Sequence, residues 1–146
     1  MALWWDISDR VAARVLRQSS AASGGDFQAR IWAGGLHAVE HAAIGLLPLF
    51  AMCDRWDIGG LSAPHHPDTG SALIFLYDAF PGGMGIAEKG YDLLGDLWRA
   101  THETVRDCPC DEGCPSCIQS PKCGNNNEPL DKQAADLILS ELLKRG

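Results

Sequence analysis

Five of the six cysteines fall within sixteen residues, in the run Cys108-Pro-Cys110-Asp-Glu-Gly-Cys114-Pro-Ser-Cys117 and, shortly after it, Cys123. Zinc takes four tetrahedral ligands, and four thiolates close its shell with no position left for water, which makes a structural site. Cys114-x-x-Cys117 offers two thiolates from one tight turn, and Cys108-x-Cys110 offers two more from the approaching strand, leaving Cys123 spare. A lone Cys-x-x-Cys is as compatible with a redox or buried dithiol, but two pairs separated by three residues favour a metal knuckle. The expectation is one structural Zn2+ on Cys108, Cys110, Cys114 and Cys117. Such a shell carries two net negative charges, and Arg106 and Lys122 are the nearby cations expected to offset them.

A second constellation is His37-Ala-Val-Glu40-His41. The order H-x-x-E-H is the inverted zinc-protease signature: on a helix it puts two imidazoles on one face with a carboxylate beside them. In that reading His37 and His41 bind zinc, Glu40 is the general base, and Glu103 or Glu112 would complete the ligands. The competing reading is a buried polar cluster that hydrogen-bonds the loops covering its helix. Three fixed positions in five recur by chance, so packing is the favoured reading and a zinc hydrolase the alternative.

Pro81-Gly82-Gly83-Met84-Gly85 follows an apolar strand, as phosphate-binding turns do, but the Walker Lys-Ser/Thr pair is missing and Glu88 stands where G-x-G-x-x-G needs its third glycine. Close backbone packing is the simpler use of these glycines. His65-His66, between prolines, reads as a solvated turn or a minor polar contact. The five tryptophans are spaced like core and interface residues, with no stacking array among them.

These residues need elements to hold them. Ala2 to Ile7 is strand-favouring, as if continuing from something upstream. Ser8 or Asp9 can cap a short helix with Val11, Val15 and Leu16 on one side and Arg10, Arg14 and Arg17 on the other. After a small-residue loop over 19–25, a long helix is predicted from Asp26, with Phe27, Ile31, Ala38, Ala42 and Leu49 near helical spacing, interrupted by Gly34-Gly35 and bent or ended near Pro48. Cys53 to Gly59 and Ala72 to Asp78 read as an antiparallel strand pair, the second apolar enough to be central. A helix carrying Ile86, Ala87, Leu93, Leu94, Leu97 and Trp98 leads into the knuckle. Pro129 or the next residue opens a last helix, with Leu130, Ala134, Leu137, Ile138 and Leu142 opposite Lys132, Asp136 and Lys144. The fold class is α+β: a small antiparallel sheet packed with about four helices and a four-cysteine zinc knuckle near the C-terminus. Residues 1–146 read as one domain, with a body over 1–107, the knuckle over 108–124, and a loop and helix over 125–146.

Twelve Lys plus Arg against nineteen Asp plus Glu give a net charge of −7 over 146 residues, the wrong sign for a module that grips phosphate backbone unaided. The longest uncharged run, Ala42 to Cys53, is twelve residues and holds Pro48, short of the roughly 20 that span a bilayer. No charged-then-apolar leader opens the chain. A soluble, cytoplasmic protein with no membrane partner is expected, and in that reducing setting clustered cysteines favour metal over disulfides.

Taken together, Ala2-Leu-Trp, Gly35-Leu-His37-Ala-Val-Glu40-His41, Tyr77-Asp78 with Pro81-Gly-Gly-Met-Gly85, the Cys108 to Cys117 knuckle, Cys123-Gly-Asn-Asn-Asn and Leu130-Asp-Lys132 resemble the MrfA-type zinc-binding domain. That domain ends a family of superfamily 2 DNA helicases that includes the mitomycin repair factor A group, and the likeness runs in order along nearly the whole chain. The resemblance implies a fragment or stand-alone copy of a DNA-repair helicase accessory domain, with the family's zinc cysteines carried onto Cys108, Cys110, Cys114 and Cys117. It implies motor and winged-helix domains as partners, with single-stranded DNA shared with them. The Walker and DEAH-type motifs of the motor are not among these residues, so no ATPase is expected of this chain.

Overall fold

The computed structural model describes residues 2–18, 25–50, 57–67, 70–78, 94–121, 123 and 126–145, with only the backbone described at 2–5, 18, 25–28, 78 and 145. Three strands form one antiparallel sheet in the order β1-β3-β2: β1 is Ala2–Ile7, β2 is Ile58–Ala63 and β3 is Ala72–Asp78. β3 is the central strand, as its apolar run predicts, with Ala2 opposite Tyr77 on one side and Ile58 opposite Asp78 on the other. Ala72, Leu73 and Ile74 are buried in succession and Leu76 is buried beyond the half-buried Phe75, so this strand reads as a continuous apolar run and does not alternate. β2 lies further along the chain than the sequence suggests. Of the expected strand, 53–56 fall outside the described residues, and pairing begins at Ile58 and runs through Gly59 and Gly60, whose weak strand propensity hides it.

α1 spans Asp9–Gln18. The Ser8 hydroxyl accepts from the Val11 amide at 3.4 Å, and Val11 and Val15 are buried while Arg10, Arg14 and Arg17 stay exposed. α2, Gly25–Leu46, is the helix on which the other elements meet. It packs against β2, α3 (Leu94–Asp107), α4 (Lys132–Arg145) and, more lightly, α1 and β3. From Gly34 to Ile44 every residue of α2 is buried. Pro48 cannot continue the α-helical hydrogen bonding, so α2 passes at Leu46 into a 3-10 turn over Leu47–Leu49, and Leu49 is 75% exposed, off the buried stripe on which the periodicity placed it.

Gly34-Gly35 does not interrupt α2. It is where α2 and α4 come closest: a Cβ on Gly35 would lie 2.7 Å from the Ala134 Cβ and 2.9 Å from Ile138 Cδ1, and the Asp131 amide donates to the Gly34 carbonyl at 3.0 Å. α4 begins later than predicted, because the cap is Asp131, whose Oδ1 accepts from the Ala134 amide at 2.8 Å. Its buried face is accordingly Ala134, Ala135, Ile138 and Leu139, while Leu137 and Leu142 are half-buried. α3 buries Leu97, Thr101 and Val105, and the Thr101 hydroxyl donates to the Leu97 carbonyl at 2.6 Å. The first part of the helix expected from Ile86, the Pro81 to Gly85 turn, Trp56 and Lys122 lie outside the described residues. His65 is exposed, and the ring of its neighbour His66 rests on Phe75 with centroids 5.8 Å apart. Among the described residues, no helix is long and apolar enough to cross a membrane.

Candidate metal centre

The last turn of α3 delivers the first thiol, as the Cys108 amide donates to the Thr104 carbonyl at 3.2 Å. The chain then passes through Cys110 and turns at Gly113, whose φ of +122° is open to glycine and strained for other residues. Beyond it the Cys114 carbonyl accepts from the amides of Cys117, Ile118 and Gln119 at 3.1 to 3.2 Å, a turn tight enough to put Cys114 and Cys117 on one side. The four sulfurs meet: Cys108 to Cys110 is 3.6 Å, Cys108 to Cys114 3.5 Å, Cys110 to Cys117 3.5 Å and Cys114 to Cys117 3.9 Å. A tetrahedral zinc with Zn–S bonds of about 2.3 Å separates its sulfurs by about 3.8 Å, so the four-thiol cluster suits a zinc ion.

The cation that meets this cluster is one the sequence placed on the solvent side of α4. The Lys132 ammonium donates to the carbonyls of Cys108 and Cys110 and reaches Cys110 Sγ at 3.2 Å. Burial raises the Cys110 thiol, but hydrogen bonds from Lys132 and from the Cys117, Cys108 and Cys114 thiols outweigh it and bring Cys110 down to about 6. Burial, reinforced by its thiol neighbours, pushes Cys117 up to about 12. Arg106 does not take part as expected. It is exposed and spends its guanidinium on Asp107 beside it, at 2.8 Å. No sequence signal of charge or spacing singles out Lys132, because its place depends on where Asp131 caps α4 against Gly34.

The H-x-x-E-H residues sit together in the buried middle of α2. His37 Nδ1 is 2.8 Å from the Pro129 carbonyl and His41 Nδ1 is 2.8 Å from the Ile118 carbonyl, so each ring donates to a loop that covers the helix. The two rings meet edge to face with centroids 4.2 Å apart. Burial, with His37 beside it, lowers His41 to about 4. Burial also raises Glu40 to about 7, against hydrogen bonds donated by the hydroxyl and amide of Ser62 in β2. All three line a cleft of about 460 Å3 between α2 and β2. Glu103 and Glu112 are exposed and join neither cluster. The side chain that does approach is Cys123, whose sulfur lies 3.6 Å from His37 Nε2 and is no part of the four-thiol cluster. Its loop is clamped by Asn127, which accepts from the Ser120 amide at 2.7 Å and donates to the Ser120 carbonyl at 3.0 Å.

Comparison with known proteins bears on both clusters. The family model of the MrfA Zn-binding domain matches residues 39–118, a stretch that holds all four knuckle cysteines. An uncharacterised protein of Methanocaldococcus jannaschii is 41% identical over 111 residues, 74% of this chain and 99% of that protein. An uncharacterised ATP-dependent helicase of Bacillus subtilis, YprA, is 42% identical over 73 residues, half of this chain but only 10% of the helicase. The crystal structure of the DUF1998 helicase MrfA bound to DNA superposes on 97% of this chain and 17% of its own, with a TM-score of 0.59 at 28% identity. The chain is thus similar to a small part of these helicases and to nearly the whole of the archaeal protein. These likenesses favour the helicase-domain reading and lend nothing to a hydrolase. The chain belongs to the family of MrfA Zn-binding domains.

Proposed function

We propose that this chain is the zinc-stabilised accessory domain of an ATP-dependent superfamily 2 DNA helicase acting in DNA repair, with Cys108, Cys110, Cys114 and Cys117 as the ligands of one structural zinc. The observation that carries the reading is the convergence of four thiols at tetrahedral spacing in a chain that superposes almost entirely on part of a DNA-bound helicase. The domain packs on the motor and winged-helix parts and holds the single-strand path during translocation, without ATP chemistry of its own. A net charge of −7 suits docking on protein better than gripping phosphate, so its contact with single-stranded DNA is local and shared with those partners.

Replacing Cys114 and Cys117 by serine should remove the knuckle zinc and reduce unwinding by the assembled helicase at least about tenfold, because metal and fold are linked at such sites. The isolated, rigorously pure chain should hydrolyse no ATP. Unwinding that survives loss of the knuckle zinc, or ATPase activity in the isolated chain, would overturn the proposal.

A further inference from the structure

We propose that His37, His41 and Cys123 form a second metal site, separate from the four-cysteine knuckle, that takes a first-row divalent ion of borderline softness, Zn2+ foremost. A ring nitrogen of each histidine and Cys123 Sγ all lie within 4.8 Å of one another. The 3.6 Å between Cys123 Sγ and His37 Nε2 is the separation that two ligands of one tetrahedral zinc would have: bonds of about 2.3 Å to sulfur and about 2.05 Å to nitrogen place them about 3.6 Å apart.

The hydrogen bonds around the rings make the stronger case. Both Nδ1 atoms face backbone carbonyls, of Pro129 and Ile118, each at 2.8 Å. A carbonyl only accepts, so each Nδ1 carries the proton and each neutral ring keeps its lone pair on Nε2. Histidine ligands of metals are held in this way, their second nitrogen donating to a carbonyl or carboxylate that fixes tautomer and orientation. One imidazole pair i, i+4 on α2 and one thiol from the clamped loop after the knuckle make three protein ligands. That number leaves a fourth position for a group from the cleft that His37, His41, Glu40 and Cys123 all line. Glu40 itself is held by Ser62 of β2, and no hydrolytic role for the ion is implied. The proposal is independent of the helicase reading.

The test is the metal count of the full chain, tag-free and reduced, by elemental analysis for Zn2+ and by titration of the metal-free protein with Co2+. Wild type should bind two equivalents. Cys123→Ser and His37→Asn should each bind one, with the intense thiolate-to-cobalt absorption of the knuckle retained as proof that the knuckle is folded. Cys114→Ser with Cys117→Ser should also lose one equivalent and keep the weaker single-thiolate band. One equivalent in wild type, unaffected by Cys123→Ser, would overturn the proposal and leave the cluster as packing. Two equivalents in both Cys123→Ser and His37→Asn would overturn it as well, by placing the second ion elsewhere.

Discussion

The ammonium of Lys132 meets two carbonyls and one sulfur of the four-cysteine cluster, so it would act on the proposed zinc site in two ways. It offsets part of the charge of four thiolates, and it holds the Cys108 to Cys110 backbone in the conformation that points both sulfurs inward. Partners that orient metal ligands in this way typically change affinity 10- to 100-fold when removed. Lys132→Met should therefore weaken zinc binding on the order of tenfold, measured by competition with a chromophoric chelator, while the helical circular dichroism of the zinc-loaded protein is unchanged. An unaltered affinity would reduce Lys132 to a surface contact. Gly113 is the other residue on which the knuckle depends, since a Cβ there would meet Ile118 Cδ1 at 2.5 Å in addition to the strained φ.

Among the elements, α2 and α4 approach closely at Gly35, and glycine makes it possible. Gly35→Ala forces a methyl against Ala134 and Ile138, and overpacking of this kind costs about 1 to 3 kcal/mol. Its unfolding free energy, from urea titration, should fall by that amount, although alanine is the better helix former in isolation. α1 and α4 are tied differently. The buried Glu141 carboxylate accepts from Lys144 at 3.1 Å and from Arg14 of α1 at 3.0 Å, and the two hydrogen bonds, Lys144 first, hold it below its usual 4.5. A carboxyl whose pKa is depressed by folding stabilises the fold above its unfolded value, and this contribution is lost as pH falls through the folded value. Wild type should thus exceed Glu141→Gln in urea midpoint at pH 6 and above, with the gap narrowing below about pH 4.5. A gap that stays constant across that range would mean the carboxylate charge contributes nothing.

In the molecule as a whole, the knuckle joins the end of α3 to the loop that leads into α4, and that loop rests on α2 through His37 and His41. Loss of zinc is therefore expected to loosen the seating of α4 as well as the knuckle. Structural zinc contributes to folding outright, but here the core that takes in Cys117 and Ile118 of the knuckle extends well beyond it through α1, α2 and the sheet, including Ile7, Val11, Leu36, Ile58 and Ile74. Stripping the metal from Cys123→Ser, which should hold only the knuckle ion, with a strong chelator under reducing conditions should lower Tm by on the order of 10 °C without complete unfolding, with recovery when Zn2+ is returned. A Tm unchanged by metal removal would show that the knuckle is an ornament on a fold that does not use it.

Much of this was legible in the residues because it is local. Cysteine spacing marked the knuckle, a long apolar run marked β3 as the central strand, and Ser8 followed by Val11 and Val15 marked α1, since each depends on neighbours a few positions away. The α2 helix was legible too, but the meaning of Gly34-Gly35 was not: a glycine pair reads as a break until the helix that packs on it is in place. The same holds for Lys132, which periodicity assigns to solvent and the Asp131 cap turns toward the knuckle, and for Cys123, which is spare by spacing yet lies against His37 across 86 residues of sequence. Pattern reports the face a residue shares with its own element. Only packing decides which residues from distant elements share a site, because that depends on how closely two backbones can approach and where each helix is capped.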